Sequence, residues 1–202
     1  MMADSVDSLK SRTWTRDKYL ITTNSTLMSV ADVNAAFTSN EMYWASPLPD
    51  DAMRSFLEHN LCFGVFCIPQ SDSSGPITAI DALPPNTNFI GFGRLMTDFT
   101  TMAYLTDVFI LPTHQGQGLG GWMPACVQET LSTMPYLRGS MLFTGDWKRS
   151  VPLYEEVLGI SVVQGRRVEG SKNGGEGFAP MLKTWKGSPL YEEERHKAAE
   201  KI

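Results

Sequence analysis

Apolar positions along this chain change period several times. Residues 19–23, Tyr-Leu-Ile-Thr-Thr, read as a short strand, and the polar residues 1–17 before them read as a flexible N-terminal segment. Val30, Val33, Ala36 and Phe37 then recur at helical spacing behind Ser29, whose hydroxyl suits a helix N-cap. A second helix is expected after Pro49, with Met53, Phe56 and Leu57 on one face. Residues 61–68 are almost continuously apolar and rich in aromatic and branched side chains, the pattern of a strand covered on both faces. Residues 89–96 and 103–111 flank a polar turn at 97–101 and complete a three-strand antiparallel meander, with Asp98 as a turn former.

Beyond that point the period returns to that of a helix. Leu119, Trp122, Met123, Cys126, Val127 and Leu131 form one stripe of a helix starting at Gly118, in which Pro124 should remove the bond to the Gly120 carbonyl. A strand at 140–144, a helix at 150–158 and strands at 160–164 and 178–184 follow, the last two separated by the glycine-rich residues 170–177. A meander followed by a strand–helix–strand unit predicts an α/β (α+β) fold whose sheet holds both parallel and antiparallel pairs.

The chain has 202 residues and a net charge of −5, from 17 Lys and Arg against 22 Asp and Glu. It is long enough for one complete core, placed at residues 18–186, with a proline-rich loop insertion at 69–88 and a charged C-terminal tail at 187–202. The acidic balance argues against nucleic acid as a partner, since such binding depends on many cations displacing counterions. No apolar run approaches the ~20 residues of a membrane helix, and no basic-then-apolar leader opens the chain, so no membrane partner is expected. Cys62, Cys67 and Cys126, with three histidines and no C-x-x-C pair, support neither a metal site nor a disulfide framework; reduced thiols of a cytoplasmic protein fit them best.

The specific chemistry concentrates in Asp107-Val108-Phe109-Ile110-Leu111-Pro112-Thr113-His114-Gln115-Gly116-Gln117-Gly118-Leu119-Gly120-Gly121-Trp122, a strand, a glycine-rich turn and a helix start. Glycines permit close backbone approach there, and N–H groups at a helix start carry the positive end of its dipole, so the segment suits phosphate oxygens. A tight turn with close helix packing is the bland alternative. Gly116, Gly118 and Gly121 also fit the dinucleotide pattern formally, but residues 112–115 separate the strand from the first glycine and the preceding strands form a meander. A P-loop fails because Trp122 stands where Lys is required.

In this context Gln115-x-x-Gly118-x-Gly120 resembles the pyrophosphate-binding signature of the GNAT acyltransferase (N-acetyltransferase) superfamily. The resemblance extends over most of residues 19–184, with Tyr43-Trp44-Ala45, Leu61-Cys62-Phe63-Gly64 and Asp107-Val108-Phe109-Ile110-Leu111-Pro112 similar to a microbial branch. It implies a mostly antiparallel sheet of about 6–7 strands with a V-shaped splay and about four helices. It also implies acetyl-CoA as cofactor, with CoA as product. Gln115, Gly116, Gln117, Gly118, Leu119, Gly120 and Gly121 would then hold the pyrophosphate, and the backbone of Val108, Phe109 and Ile110 the pantetheine arm. The implied reaction is acetyl transfer to an amine acceptor by direct attack on the thioester; a catalytically weak or inactive CoA-binding module is the alternative. Homodimers occur often in the superfamily, and an exposed strand edge would allow one.

Two side chains are candidates for proton transfer. The resemblance implies Tyr154 as the acid that protonates the leaving thiolate, its alternative role being a packed helix aromatic. Asp107, a carboxylate among Leu105, Val108, Phe109 and Ile110, is the candidate base, its alternative role being a strand acceptor; a bulge in this strand would decide which way it faces. Tyr43 and Trp44 line an acceptor pocket or fill core beneath the first helices.

Overall fold

The computed structural model describes residues 4–39, 42, 44–69, 82–163, 166–167, 175–176 and 179–185. Among the described residues, five helices and ten strands follow one another as α1 (Val6–Leu9), β1 (Thr13–Arg16), β2 (Tyr19–Thr22), α2 (Val30–Thr38), α3 (Asp50–His59), β3 (Leu61–Cys67), β4 (Asn88–Thr97), β5 (Met102–Ile110), α4 (Leu119–Ser132), β6 (Gly139–Thr144), α5 (Ser150–Leu158), β7 (Ser161–Val162), β8 (Arg166–Arg167), β9 (Gly175–Glu176) and β10 (Ala179–Thr184). Eight strands join in the order β1-β2-β3-β4-β5-β6-β10-β7, and β8 pairs with β9. The β5–β6 pair is parallel, while β1–β2, β2–β3, β3–β4, β6–β10 and β7–β10 are antiparallel, so the expected mixture of pairings is present. Residues 70–81 of the expected loop insertion and all of the 187–202 tail lie outside the described residues.

One expectation is corrected. The fold begins well before Tyr19, which adds one helix and one strand of the main sheet to the numbers anticipated, and the β8–β9 pair adds two more strands. Thr13-Trp14-Thr15-Arg16 pairs residue by residue with β2, Trp14 stacks on Phe63 at 6.0 Å, and Leu9 is fully buried. Polar composition concealed this, because an edge strand needs only one apolar face.

The chain groups into two compact units. In the unit formed by Ser5–Leu95 and Asp107–Met123, the Ser29 hydroxyl caps α2 by accepting from the Asp32 N–H at 3.0 Å. Val33, Ala36 and Phe37 from α2 and Met53 and Leu57 from α3 join Leu20, Cys62, Phe66, Phe92 and Phe109 in one core. Edge-to-face contacts of Phe37 with Phe56 at 5.7 Å and Phe92 at 6.2 Å fix the aromatic packing.

The other described unit contains Met96–Thr106 and the chain from Pro124 onward. Asp98 closes the β4–β5 turn by accepting from the N–H groups of Thr100, Thr101 and Met102 and from the Thr101 hydroxyl. These bonds outweigh partial desolvation and hold its carboxyl below the ordinary range. Helix α4 continues through Pro124 to Ser132, and α5 buries Val151, Tyr154 and Leu158 before Gly159, at φ +59°, ends it. Lys183 Nζ donates to the Leu158 carbonyl at 2.8 Å, capping that end.

Burial pushes the Cys62 thiol up to about 12. An unfolded thiol ionises near its ordinary pKa of about 8.5, so the unfolded state sheds a proton that the fold retains, and stability must fall as the pH rises from there toward 12. Urea unfolding between pH 8 and 11 is expected to show this loss, and Cys62→Ala should make the slope shallower by up to one proton, about 1.4 kcal/mol per pH unit.

Candidate functional site

Strand β5 changes character at Asp107. Its parallel ladder with β6 runs from Met102↔Gly139 to Leu105↔Leu142, although β5 continues to Ile110. Asp107 itself adopts φ +53°, a left-handed conformation foreign to a strand and costly for a residue other than glycine. Its carboxylate, 8% exposed, accepts a charge-assisted hydrogen bond from Arg94 Nε at 2.7 Å. The Arg94 guanidinium in turn lies 4.2 Å from the Phe56 ring centroid. The positive φ therefore belongs to a side chain anchored in the core-facing layer by a cation.

Beyond Asp107 the backbone alternates. The Leu111 N–H donates to the Ile90 carbonyl at 2.8 Å, and the Phe109 carbonyl lies 2.8 Å from where a side chain on Gly91 would begin, so 109 and 111 turn their polar groups toward β4. By the strand's alternation Val108 and Ile110 present theirs to the opposite edge. The Ile110 carbonyl there accepts from Gln115 Nε2 at 2.9 Å, a bond that ties the glycine turn to the end of β5.

The turn itself runs through a short 3-10 stretch, Pro112–His114, into two left-handed glycines, Gly116 at φ +77° and Gly118 at φ +73°. These conformations carry little cost only in glycine. The first N–H groups of α4 have no carbonyl one turn earlier to bond and carry the positive end of the helix dipole. Gly120, inside the first turn, is different: its φ is not positive, and a side chain there would meet nothing within 4 Å. Neither backbone nor packing asks for glycine, which costs up to about 1 kcal/mol against alanine in a helix. Open space above an exposed helix start, kept clear of a Cβ, fits a ligand phosphate at close approach.

Arg16 is brought to the same turn, from β1. Its Nη2 donates to the Gln117 carbonyl at 2.9 Å, and its guanidinium carbon lies 4.7 Å from the Trp122 ring centroid. Sequence reasoning passed over this residue, because nothing in Thr-Trp-Thr-Arg signals a partner 101 positions away. Arg94 was missed for the same reason.

Tyr154 lies in the other unit, on the buried stripe of α5 with Val151 and Leu158, and burial pushes its phenol up to about 12. Trp44 is 48% exposed and so is not core filling, whereas Tyr43 lies outside the described residues. Among the described residues no helix is long and apolar enough to cross a membrane.

No family model matches the chain. A Gibberella zeae protein named "Putative acetyltransferase" is 38% identical over 141 residues, 70% of this chain and 80% of that protein. The chain belongs to the GNAT acetyltransferase superfamily. A Xanthomonas campestris GNAT protein of known structure shares 24% identity, covering 69% of this chain and 84% of that one, with a TM-score of 0.50. A GNAT acetyltransferase of Streptococcus pneumoniae superposes with a TM-score of 0.54 at 15% identity, over 83% of this chain and 99% of that one. The Vibrio cholerae spermidine N-acetyltransferase, solved with CoA and spermine, superposes with a TM-score of 0.53 at 14% identity, over 84% and 96%. The GNAT fold is thus shared where little sequence is.

Two glycines of this GNAT turn make opposite predictions for stability. Gly116→Ala should cost about 1–2 kcal/mol through left-handed strain. Gly120→Ala should stabilise the fold by up to about 1 kcal/mol through helix propensity. Thermal or urea unfolding of the two variants measures both.

Proposed function

We propose that the protein is an acetyl-CoA-dependent N-acyltransferase that passes an acetyl group to a primary amine by direct attack on the thioester. The observation that carries the reading is the glycine turn, whose Gly120 is explained by neither backbone angle nor packing and is explained by a phosphate lying against it. The cofactor, when bound, supplies the acetyl group as an activated thioester. Backbone N–H groups of residues 116–121 would hold its pyrophosphate, and the Val108 N–H and C=O and the Ile110 N–H would pair with its pantetheine arm, whereas Phe109, expected to join them, turns its polar groups toward β4. The Ile110 carbonyl, engaged by Gln115, serves the turn instead.

The acceptor amine must be neutral to attack, and Asp107 is the candidate to take its proton directly or through water. Its Arg94 partner fixes the carboxylate in one orientation. Tyr154, with its phenol raised to about 12, is protonated throughout the physiological range and donates to the leaving thiolate, though as a weaker acid than a free phenol. Direct transfer is supported by the thiols: Cys62 and Cys126 are buried, and Cys62 is pushed away from the thiolate form a nucleophile needs. Trp44 offers an exposed aromatic face to the acceptor.

A second reading, a CoA-binding module with weak or no turnover, is favoured by the same two side chains. Asp107 is already ion-paired, and the Tyr154 acidity is lowered rather than raised.

Calorimetry with acetyl-CoA and CoA is expected to give micromolar binding, lost in Gly118→Trp and at least ten-fold weaker in the more stable Gly120→Ala. A folded wild-type protein that does not bind CoA overturns the whole reading. CoA release across a panel of amines then separates enzyme from binding module. Tyr154→Phe should lower kcat by about 10²-fold or more with CoA affinity unchanged, in line with the worth of a positioned acid; unaltered turnover removes Tyr154 from the mechanism.

A further inference from the structure

We infer that Arg16 is a positioning residue of the pyrophosphate turn: it fixes the Gln117–Gly118 peptide so that the Gly118 N–H is presented to the cofactor's phosphate oxygens. The inference rests on the cofactor reading above and deepens it. A trans peptide points its carbonyl and its N–H in opposite directions. Because the Gln117 carbonyl is held by Arg16 Nη2 at 2.9 Å, the Gly118 N–H is turned away from β1. This peptide needs such a hold. It joins Gln117 to Gly118, whose φ is left-handed at +73°, and glycine populates either sign of φ at little cost, so the peptide can reorient through Gly118 unless it is held.

The arginine is itself held in place. Arg16 closes the β1–β2 ladder opposite Tyr19, ahead of a two-residue turn in which Asp17 takes φ +52°. Tyr19 meets His114 edge to face at 6.0 Å, so the hairpin tip contacts the turn at a second point. The guanidinium lies over Trp122, in the first turn of α4, and a side chain on Gly118 would come within 3.5 Å of it. Only a planar cation can stack on the indole with its face and donate to a carbonyl from its edge at once, which lysine cannot do. The same group leaves a positive charge beside an anion site, and β1, unremarkable in composition, becomes part of cofactor binding.

The test is calorimetric titration of the full chain with CoA and with dephospho-CoA, which keeps the pyrophosphate and lacks the 3′-phosphate, for wild type, Arg16→Gln and Arg16→Lys. Thermal melting serves as the check of folding. Arg16→Gln is expected to weaken both ligands about ten-fold or more by the same factor, and to make CoA binding less salt-dependent than in wild type. Arg16→Lys, which keeps the charge and loses the stacked fork, should recover only part of the affinity; it carries the test if the glutamine variant unfolds. Full recovery with lysine would show that bare charge suffices and would overturn the positioning role. A loss seen with CoA and absent with dephospho-CoA would place Arg16 on the 3′-phosphate and overturn it too, as would unchanged affinity. If wild type binds neither ligand, it is the acyltransferase reading that fails.

Discussion

The Arg94–Asp107 ion pair holds the place where β5 stops behaving as an ordinary strand. Up to Leu105 the strand has a parallel partner in β6; at Asp107 the chain turns left-handed and passes from one compact unit to the other. A buried carboxylate in a strained conformation persists only where its surroundings over-determine it. Here a guanidinium bonded at 2.7 Å and packed against Phe56 supplies that constraint. The direction in which Val108 and Ile110 present their backbone depends on this point of the strand.

From the end of β5 a second set of constraints builds the turn. Gln115 returns to the Ile110 carbonyl, Gly116 and Gly118 supply backbone angles that other residues reach only with strain, and Arg16 takes the carbonyl between them. Each bond removes one freedom from a loop that composition alone would leave loose. The result is a turn whose backbone is held in one conformation by side chains and glycine angles.

Much of this was legible in the residues. The apolar run from Leu61, the alternation through β4 and β5, the Ser29 cap and the Asp98 turn each carry a local signal, and each element formed within a residue or two of where that signal placed it. Gln115-x-x-Gly118-x-Gly120 located the turn through its family resemblance, and of its two glycines Gly118 records a left-handed backbone angle. The β1 strand was not legible, since one apolar face among threonines resembles a polar tail. Neither were the roles of Arg16 and Arg94, whose partners lie 101 and 13 positions away.

By itself, then, the sequence determined most of the elements, the family and the location of the glycine turn, because helix period, strand alternation and glycine placement act over a few residues. Only the tertiary structure decided that Asp107 is left-handed, buried and paired, that the Ile110 carbonyl is taken by Gln115, and that Arg16 bonds the Gln117 carbonyl. Those outcomes depend on through-space contacts between distant segments. A charged side chain declares its charge in sequence, but its partner is chosen by which strands the fold lays side by side.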